Sequence, residues 1–302
     1  MRELVVLGTA SQVPTRTRNH NGYLLRWDGT GLLFDPGEGT QRQLLLAGAP
    51  ASSVTHICLT HAHGDHCLGV PGVVQRMGLD GVRREVPLLY PAGSTDEVAA
   101  LLAATAYVPL VPVRHRPIDR PGRVATGHDW TLSALPLDHR VPTVGYRLQE
   151  ADGRRMLPDR LARFGISGPD VGRLAREGSV LVRGTTVDVD EVSEPRRGQV
   201  FAFVMDTRWC DTASELASEA DLLVCEATYL EADRALADDY AHLTARQAAE
   251  LARSAGARRL VLTHFSQRYG DDPEPFLREA REVFPDVVAA EDLQRLPMPP
   301  RR

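Results

Sequence analysis

Short apolar runs separated by glycine, proline and polar turns dominate the first half of the chain. Residues 4–7, 23–27, 32–35 and 55–60 are such runs, and their length and boundaries predict strands of a sheet. A further strand is expected at 87–90, followed by a helix over 97–104 with Ser94 as its N-cap. The second half repeats the alternation, with strands expected at 131–137, 144–148, 201–205, 222–225 and 259–263. Between the later ones, helices are expected to begin near Thr212, Thr244 and Pro273, the last with Asp272 as its cap. Strand and helix alternating on this scale predict an α/β protein whose helices cover the faces of its sheets. No short-period repeat underlies the alternation.

One stretch breaks the rhythm. Between 151 and 198, glycine, proline and arginine are frequent, and the apolar runs at 180–182 and 187–189 are short and separated by charge. Such a composition is poor in material for a core of its own, so an arm carried by the main body is expected. The last residues, 297–302, are expected to fray. The whole chain of 302 residues thus reads as one domain, 1–302, with 151–198 inserted in it.

Composition narrows the function classes. Hydrophobic residues at 43% and charged residues at 25% exclude a disordered or fibrous chain. No apolar run approaches the roughly 18 residues of a membrane span, and Gly8 and Thr9 interrupt the N-terminal run before it could form a signal-peptide core. A cytoplasmic protein with no membrane partner is expected. Cys58, Cys67, Cys210 and Cys225 form no C-x-x-C pair and sit in apolar or strand-like surroundings, so they read as small hydrophobes and not as a disulfide or zinc-ribbon framework. The net charge of -5 exerts no global pull on nucleic acid, which leaves any polyanion binding to a local patch. All 35 basic residues are arginine, so every cationic contact falls to a planar, always-charged fork.

The chemistry-bearing segment is His61-Ala62-His63-Gly64-Asp65-His66, directly after an apolar strand. Three imidazoles and a carboxylate within six residues are too many ligands for one tetrahedral ion that must also keep an open position, so two metals are the natural reading. His61 and His63 can share a face in extended chain, while Asp65 and His66, past the flexible Gly64, can turn to a second ion. The bland reading is a polar loop of solvated histidines. His20, His56, His115 and His128 lack such company and read as surface or hydrogen-bonded core histidines.

This H-x-H-x-D-H pattern resembles the signature of the metallo-β-lactamase superfamily, which implies a four-layer αβ/βα sandwich with metals at one edge of its two sheets. The resemblance implies three further ligands at strand ends: His139 in Leu137-Asp138-His139, Asp206 in Val204-Met205-Asp206 and His264 in Leu262-Thr263-His264. By it, His61, His63 and His139 hold one zinc, Asp65, His66 and His264 hold the other, and Asp206 bridges. Superfamily members that use iron to reduce oxygen carry glutamate at the position of His63; an all-imidazole pair favours zinc and hydrolysis.

A narrower match covers nearly the whole chain. Leu7-Gly8-Thr9-Ala10, Pro14-Thr15-Arg16-Thr17-Arg18-Asn19, Phe34-Asp35-Pro36-Gly37-Glu38-Gly39-Thr40-Gln41, Gly168-Pro169 with Gly172 and Gly178, and Thr263-His264-Phe265-Ser266-Gln267-Arg268-Tyr269 resemble the ribonuclease Z family, short-form endonucleases of tRNA 3′ processing. The arm falls where that family carries its tRNA-binding exosite. Between 154 and 183 seven arginines face three acidic residues, a balance of +4, and contacts to phosphate and duplex shape fix register without reading sequence. The resemblance implies RNA contacts by Arg154, Arg155, Arg173 and Arg176 in the arm and by Arg16 or Arg18 near the scissile end. A solvated arginine-rich loop is the plain alternative. The chain departs from the family where Met205 replaces glycine, a bulkier neighbour able to crowd the site, and where Ala241-His242-Leu243-Thr244 replaces Gly-His-Ser-Thr.

The expected activity is removal of 3′ trailers from pre-tRNA. Two zinc ions would generate hydroxide at neutral pH, Asp65 would hold it, and His242, by resemblance, would protonate the leaving ribose 3′-oxygen. The products would be tRNA with a 3′-hydroxyl and a trailer with a 5′-phosphate. The resemblance also implies a homodimer in which one subunit's arm presents tRNA to the other's site. Competing readings are a phosphodiesterase or other metallohydrolase acting on a small molecule, and a non-catalytic RNA- or partner-binding descendant.

Overall fold

A computed structural model describes residues 1–301. Two seven-stranded sheets face each other. The first runs, from edge to edge, Arg295–Pro297, Arg2–Gly8, Gly22–Trp27, Thr30–Phe34, His56–Cys58, Val86–Pro91 and Val113–Ile118. The second runs Val287–Ala289, Leu260–Thr263, Leu222–Glu226, Val200–Val204, Val144–Glu150, Trp130–Pro136 and Gly122–Thr126. Each joins an antiparallel half to a parallel half. Because successive side chains of a strand point to opposite faces, Leu4 and Val6 enter the core between the sheets while Val5 and Leu7 pack under helices on the outer face. Phe201 and Phe203 point inward in the same way, and Val200, Ala202 and Val204 outward. Helices Val70–Leu79 and Thr95–Ala103 cover one sheet, and Asp211–Ala217, Ala245–Ser254 and Glu274–Arg281 the other. The result is the four-layer sandwich expected.

The helix starts follow their caps unevenly. Thr244 closes a capping box with Gln247, and Asp272 accepts the N–H of Glu274, whereas Ser94 stands at its N-cap without a side-chain bond and the helix begins at Thr95. Short edge strands at 113–118, 122–126, 287–289 and 295–297 lie outside the expected set.

Two expectations are corrected. The arm does form a small core: Leu161, Ile166, Leu174, Val180, Val187 and Val192 cluster together, braced by paired strands Gly153–Met156 with Ser193–Arg196 and Ser179–Val182 with Thr185–Asp188. Its apolar residues are sparse but converge from both ends of the segment. Over 297–301 the tail is docked, not frayed, and Arg302 lies outside the described residues. Arg295–Pro297 pairs with the first strand, Met298 is buried, and the carbonyls of Pro299 and Pro300 accept from Gln199 and Arg258. Among the described residues no helix is long and apolar enough to cross a membrane.

Candidate metal centre

Ends of strands from both sheets converge on one cluster. The segment 61–66 follows His56–Cys58, His139 follows Trp130–Pro136, Asp206 follows Val200–Val204, and His264 follows Leu260–Thr263. Within two residues of their strand ends Asp35, Asp206 and His264 take left-handed backbone angles, with φ of 43°, 48° and 63°. These conformations are costly for residues with a Cβ, and the surrounding packing holds them. Gly37 lets the neighbouring loop pass, since a Cβ there would lie 2.1 Å from the Asp65 carbonyl oxygen.

All seven expected ligands come together. Asp206 is central: Oδ2 lies 3.5 Å from His61 Nε2, 3.3 Å from His66 Nε2 and 3.9 Å from His139 Nε2, and Oδ1 lies 3.3 Å from His264 Nε2. Asp65 Oδ2 lies 3.2 Å from His66 Nε2 and 3.5 Å from His264 Nε2. Two sets with metal-binding spacing result, His61, His63, His139 and Asp206 in one and Asp65, His66 and His264 in the other; a third joins His242 to Asp206 and His264.

Nδ1 of four rings is tied outward, which turns Nε2 to the centre. The His66 Nδ1–H donates to Asp35 at 2.9 Å and that of His139 to the Ala241 carbonyl at 3.0 Å. Thr60 gives its hydroxyl proton to Asp35 at 2.7 Å and its oxygen receives His61 Nδ1–H at 2.9 Å. Thr228 does the same between Glu226 at 2.5 Å and His264 at 2.7 Å. Such partners fix tautomer and ring orientation in metal sites. At the centre, by contrast, His139 Nε2, His264 Nε2 and Asp206 Oδ1 are buried without any hydrogen-bond partner. Buried polar atoms left unpaired are costly. Their convergence with a carboxylate fits a divalent cation. Burial also lowers the pKa of His61, His63 and His139, leaving neutral lone pairs, while Asp65 and Asp206, against the push of burial, are held ionised by the facing imidazoles.

His242 sits at the edge of the cluster, its ring 5.2 Å from that of His139 and 5.3 Å from that of His264. Its Nδ1 lies 3.1 Å from both oxygens of the buried Glu226. Burial pulls its pKa down, but the Glu226 carboxylate prevails and raises it to about 9. An open cleft of about 790 Å³ gives access, lined by Gln12, His63, Asp65, Arg140, Tyr240 and His242 among others.

Sequence reasoning missed the two buried carboxylates that organise the centre. Asp35 serves His66 directly and His61 through Thr60; Glu226 serves His242 directly and His264 through Thr228. The signal available was an acidic residue closing or just following an apolar strand, in Phe34-Asp35 and Cys225-Glu226. The concern over Met205 does not hold: its side chain is buried between the sheets.

The RNA-contact residues fare unevenly. Arg18 is a correction: it is 6% exposed, and its guanidinium donates to Thr9 Oγ1 and to the carbonyls of Ala290 and Asp271 over the Phe265 ring. It braces the loop from within, while Arg16 stays exposed. In the arm, Arg154 pairs with Asp190, Arg155 with Glu194 at 2.6 Å and Arg173 with Asp170 at 2.7 Å; Arg176 is exposed. Over all of 151–198, nine arginines meet eight acidic residues, so the +4 of 154–183 falls to +1.

Residues 15–150 match the metallo-beta-lactamase superfamily and residues 189–265 the beta-lactamase superfamily domain. The chain is 57% identical to the ribonuclease Z of Nocardia farcinica over 302 residues, covering 100% of this chain and 99% of the relative. It is 44% identical to that of Chlamydia trachomatis serovar L2, over 96% of this chain and 95% of the relative. The crystal structure of human tRNase Z, short form, superposes with a TM-score of 0.71 at 25% identity, covering 99% of this chain and 100% of that one. Identity sustained at this level from end to end means that the chain belongs to the ribonuclease Z family of the metallo-β-lactamase superfamily.

Proposed function

We propose that this protein is a zinc-dependent endoribonuclease that removes 3′ trailers from pre-tRNA, with two zinc ions per chain. The observation that carries the reading is the pair of convergent donor sets, with Asp206 of the first lying 3.3 Å from His66 and His264 of the second, and with unpartnered imidazole and carboxylate atoms at their centre. Imidazole nitrogen with carboxylate oxygen, and no thiolate, is a donor set suited to zinc. His61, His63 and His139 would hold one ion, Asp65, His66 and His264 the other, and Asp206 would bridge. When bound, the ions supply Lewis acidity that makes hydroxide available at neutral pH and offsets phosphodiester charge.

The chain's own residues do the rest. Asp65, ionised and facing the cleft, accepts a hydrogen bond from the attacking water and orients it toward phosphorus. His242 carries a proton at neutral pH and, with Nδ1 committed to Glu226, presents Nε2–H to the departing ribose 3′-oxygen. The new P–O bond forms from the water oxygen, whose proton passes to solvent, and the bond to the 3′-oxygen breaks as that oxygen takes the His242 proton, leaving a tRNA 3′-hydroxyl and a trailer 5′-phosphate. Residues 151–198 act in this reading as an arm inserted in a single domain, gripping tRNA through exposed arginines such as Arg176, with Arg16 near the acceptor end. The reading includes a homodimer working in the cytoplasm, which sedimentation of the purified protein and cell fractionation check.

Incubation of the purified protein with end-labelled pre-tRNA, alongside elemental analysis, tests the whole. Cleavage at the trailer junction with two zinc ions per chain is expected. Faster turnover of a cyclic nucleotide than of pre-tRNA would instead favour a small-molecule phosphodiesterase.

A further inference from the structure

The cleft wall beside His242 carries a flat surface that the chemistry above leaves without a task. The Arg140 guanidinium carbon lies 5.6 Å from the centre of the Tyr240 ring. Both side chains line the cleft and both are exposed, Tyr240 by 48%. Among the described residues neither guanidinium nor phenol has a hydrogen-bond or ion-pair partner. An arginine within cation–π range of an aromatic ring, both open to solvent and facing a reaction cleft, offers a surface to which a third planar group can add.

Its position is fixed from two sides. Arg140 follows His139, whose Nδ1–H donates to the Ala241 carbonyl at 3.0 Å. Tyr240 ends the helix Arg234–Tyr240, and Ala241 then turns the chain with φ of 61° so that His242 enters the cluster. Arg208 clamps the same two segments, reaching the Asp138 carboxylate at 3.2 Å and the Asp238 carbonyl at 3.1 Å. The two backbone segments that carry the pair are therefore anchored before any ligand arrives, which limits the ordering entropy lost on binding to the side chains.

The chemistry selects the ligand. His242 gives its proton to the leaving 3′-oxygen, so the ribose that carries this oxygen lies against His242, and its base falls to the surface flanking that residue. We propose that Arg140 and Tyr240 form a stacking subsite for the base of the nucleotide immediately upstream of the scissile phosphate, an inference that rests on the pre-tRNA reading above. Stacking on a π-face accepts any of the four bases, as suits an enzyme that must process many tRNAs.

The test pairs enzyme variants with an altered RNA. Holoenzyme, Tyr240→Ala, Tyr240→Phe and Arg140→Ala are assayed on pre-tRNA and on the same RNA made abasic at the nucleotide before the cut. Removing the base should lower kcat/KM of the unaltered enzyme by roughly 5- to 150-fold, the range for one stacked base. Tyr240→Ala should show a similar loss on intact RNA and little further loss on the abasic RNA, with Tyr240→Phe close to the unaltered enzyme and Arg140→Ala between the two. Losses that multiply, so that Tyr240→Ala slows both RNAs by the same factor, would overturn the subsite, as would an unaltered enzyme indifferent to the missing base. An unaltered enzyme that leaves pre-tRNA uncut would refute the endonuclease reading and the subsite together, and would do so before any variant is made.

Discussion

Replacing Glu150 with glutamine should loosen the junction from which the arm departs. Glu150 ends a strand of the second sheet, is 3% exposed, and gathers Arg2 at 2.8 Å, Arg301 at 2.8 Å, Arg196 at 3.5 Å and the Gln199 N–H at 2.9 Å. Burial alone would push its carboxyl up, but the Arg301 and Arg2 guanidiniums and the backbone donor outweigh it and bring the pKa from 4.5 to about 2. At about 1.4 kcal/mol for each pH unit between those values, the ionised carboxylate contributes about 3 kcal/mol at neutral pH. Because the folded pKa lies below the unfolded one, this contribution is complete above pH 4.5 and is lost as pH falls toward 2; by pH 3 about half of it is gone. Glutamine keeps an acceptor but not the charge. Glu150→Gln should therefore unfold with a Tm lower by about 5 °C at pH 7, and the gap in denaturant-derived stability between the two proteins should narrow by pH 3. A gap that stays constant from pH 7 to pH 3, or no gap at pH 7, would refute the assignment of this stability to the ion cluster.

Other consequences concern the site. His242→Ala should slow pre-tRNA cleavage about 10²- to 10⁴-fold while elemental analysis still finds both metals; undiminished turnover would remove it from the proton path. Glu226→Gln should weaken metal binding about 10- to 100-fold, since His264 loses the anchor behind Thr228, and competition with a chromophoric chelator measures this; equal affinity would show the relay to be idle. Deleting 151–198 and joining Glu150 to Gln199, whose backbones already meet at 2.9 Å, should abolish tRNA processing yet retain hydrolysis of a small phosphodiester. Full tRNA activity in that protein would exclude the arm as the RNA grip.

The local parts of this protein were legible in the sequence for local reasons. Six consecutive residues, 61–66, display their ligand chemistry without help from the rest of the chain, whereas His139, Asp206 and His264, each after an apolar run, were picked out through the family resemblance. Resemblance then added His242, which spacing alone could not have singled out. The long central strands were equally legible, because their apolar content is set by burial on both faces. Edge strands such as Val113–Ile118, which carries Arg114, His115 and Arg116, lack that signal and went unseen.

What lay beyond the sequence is what depends on contacts between distant segments. Arg18 looked like a phosphate contact, but it donates to Ala290, 272 positions away, and is thereby withdrawn from solvent. The arm's arginines looked like a concentrated positive patch until folding brought Asp190 and Glu194 onto Arg154 and Arg155. Asp35 and Glu226, ordinary acids in the text of the chain, became the anchors of four imidazoles only once two sheets set their strand ends side by side. The sequence by itself determined which donors exist and the strands that carry them, since side-chain chemistry and period-two burial are properties of short stretches. Tertiary structure alone decided which charges are paired, buried or free, because pairing and desolvation are set by neighbours in space, and those neighbours come from residues far apart along the chain.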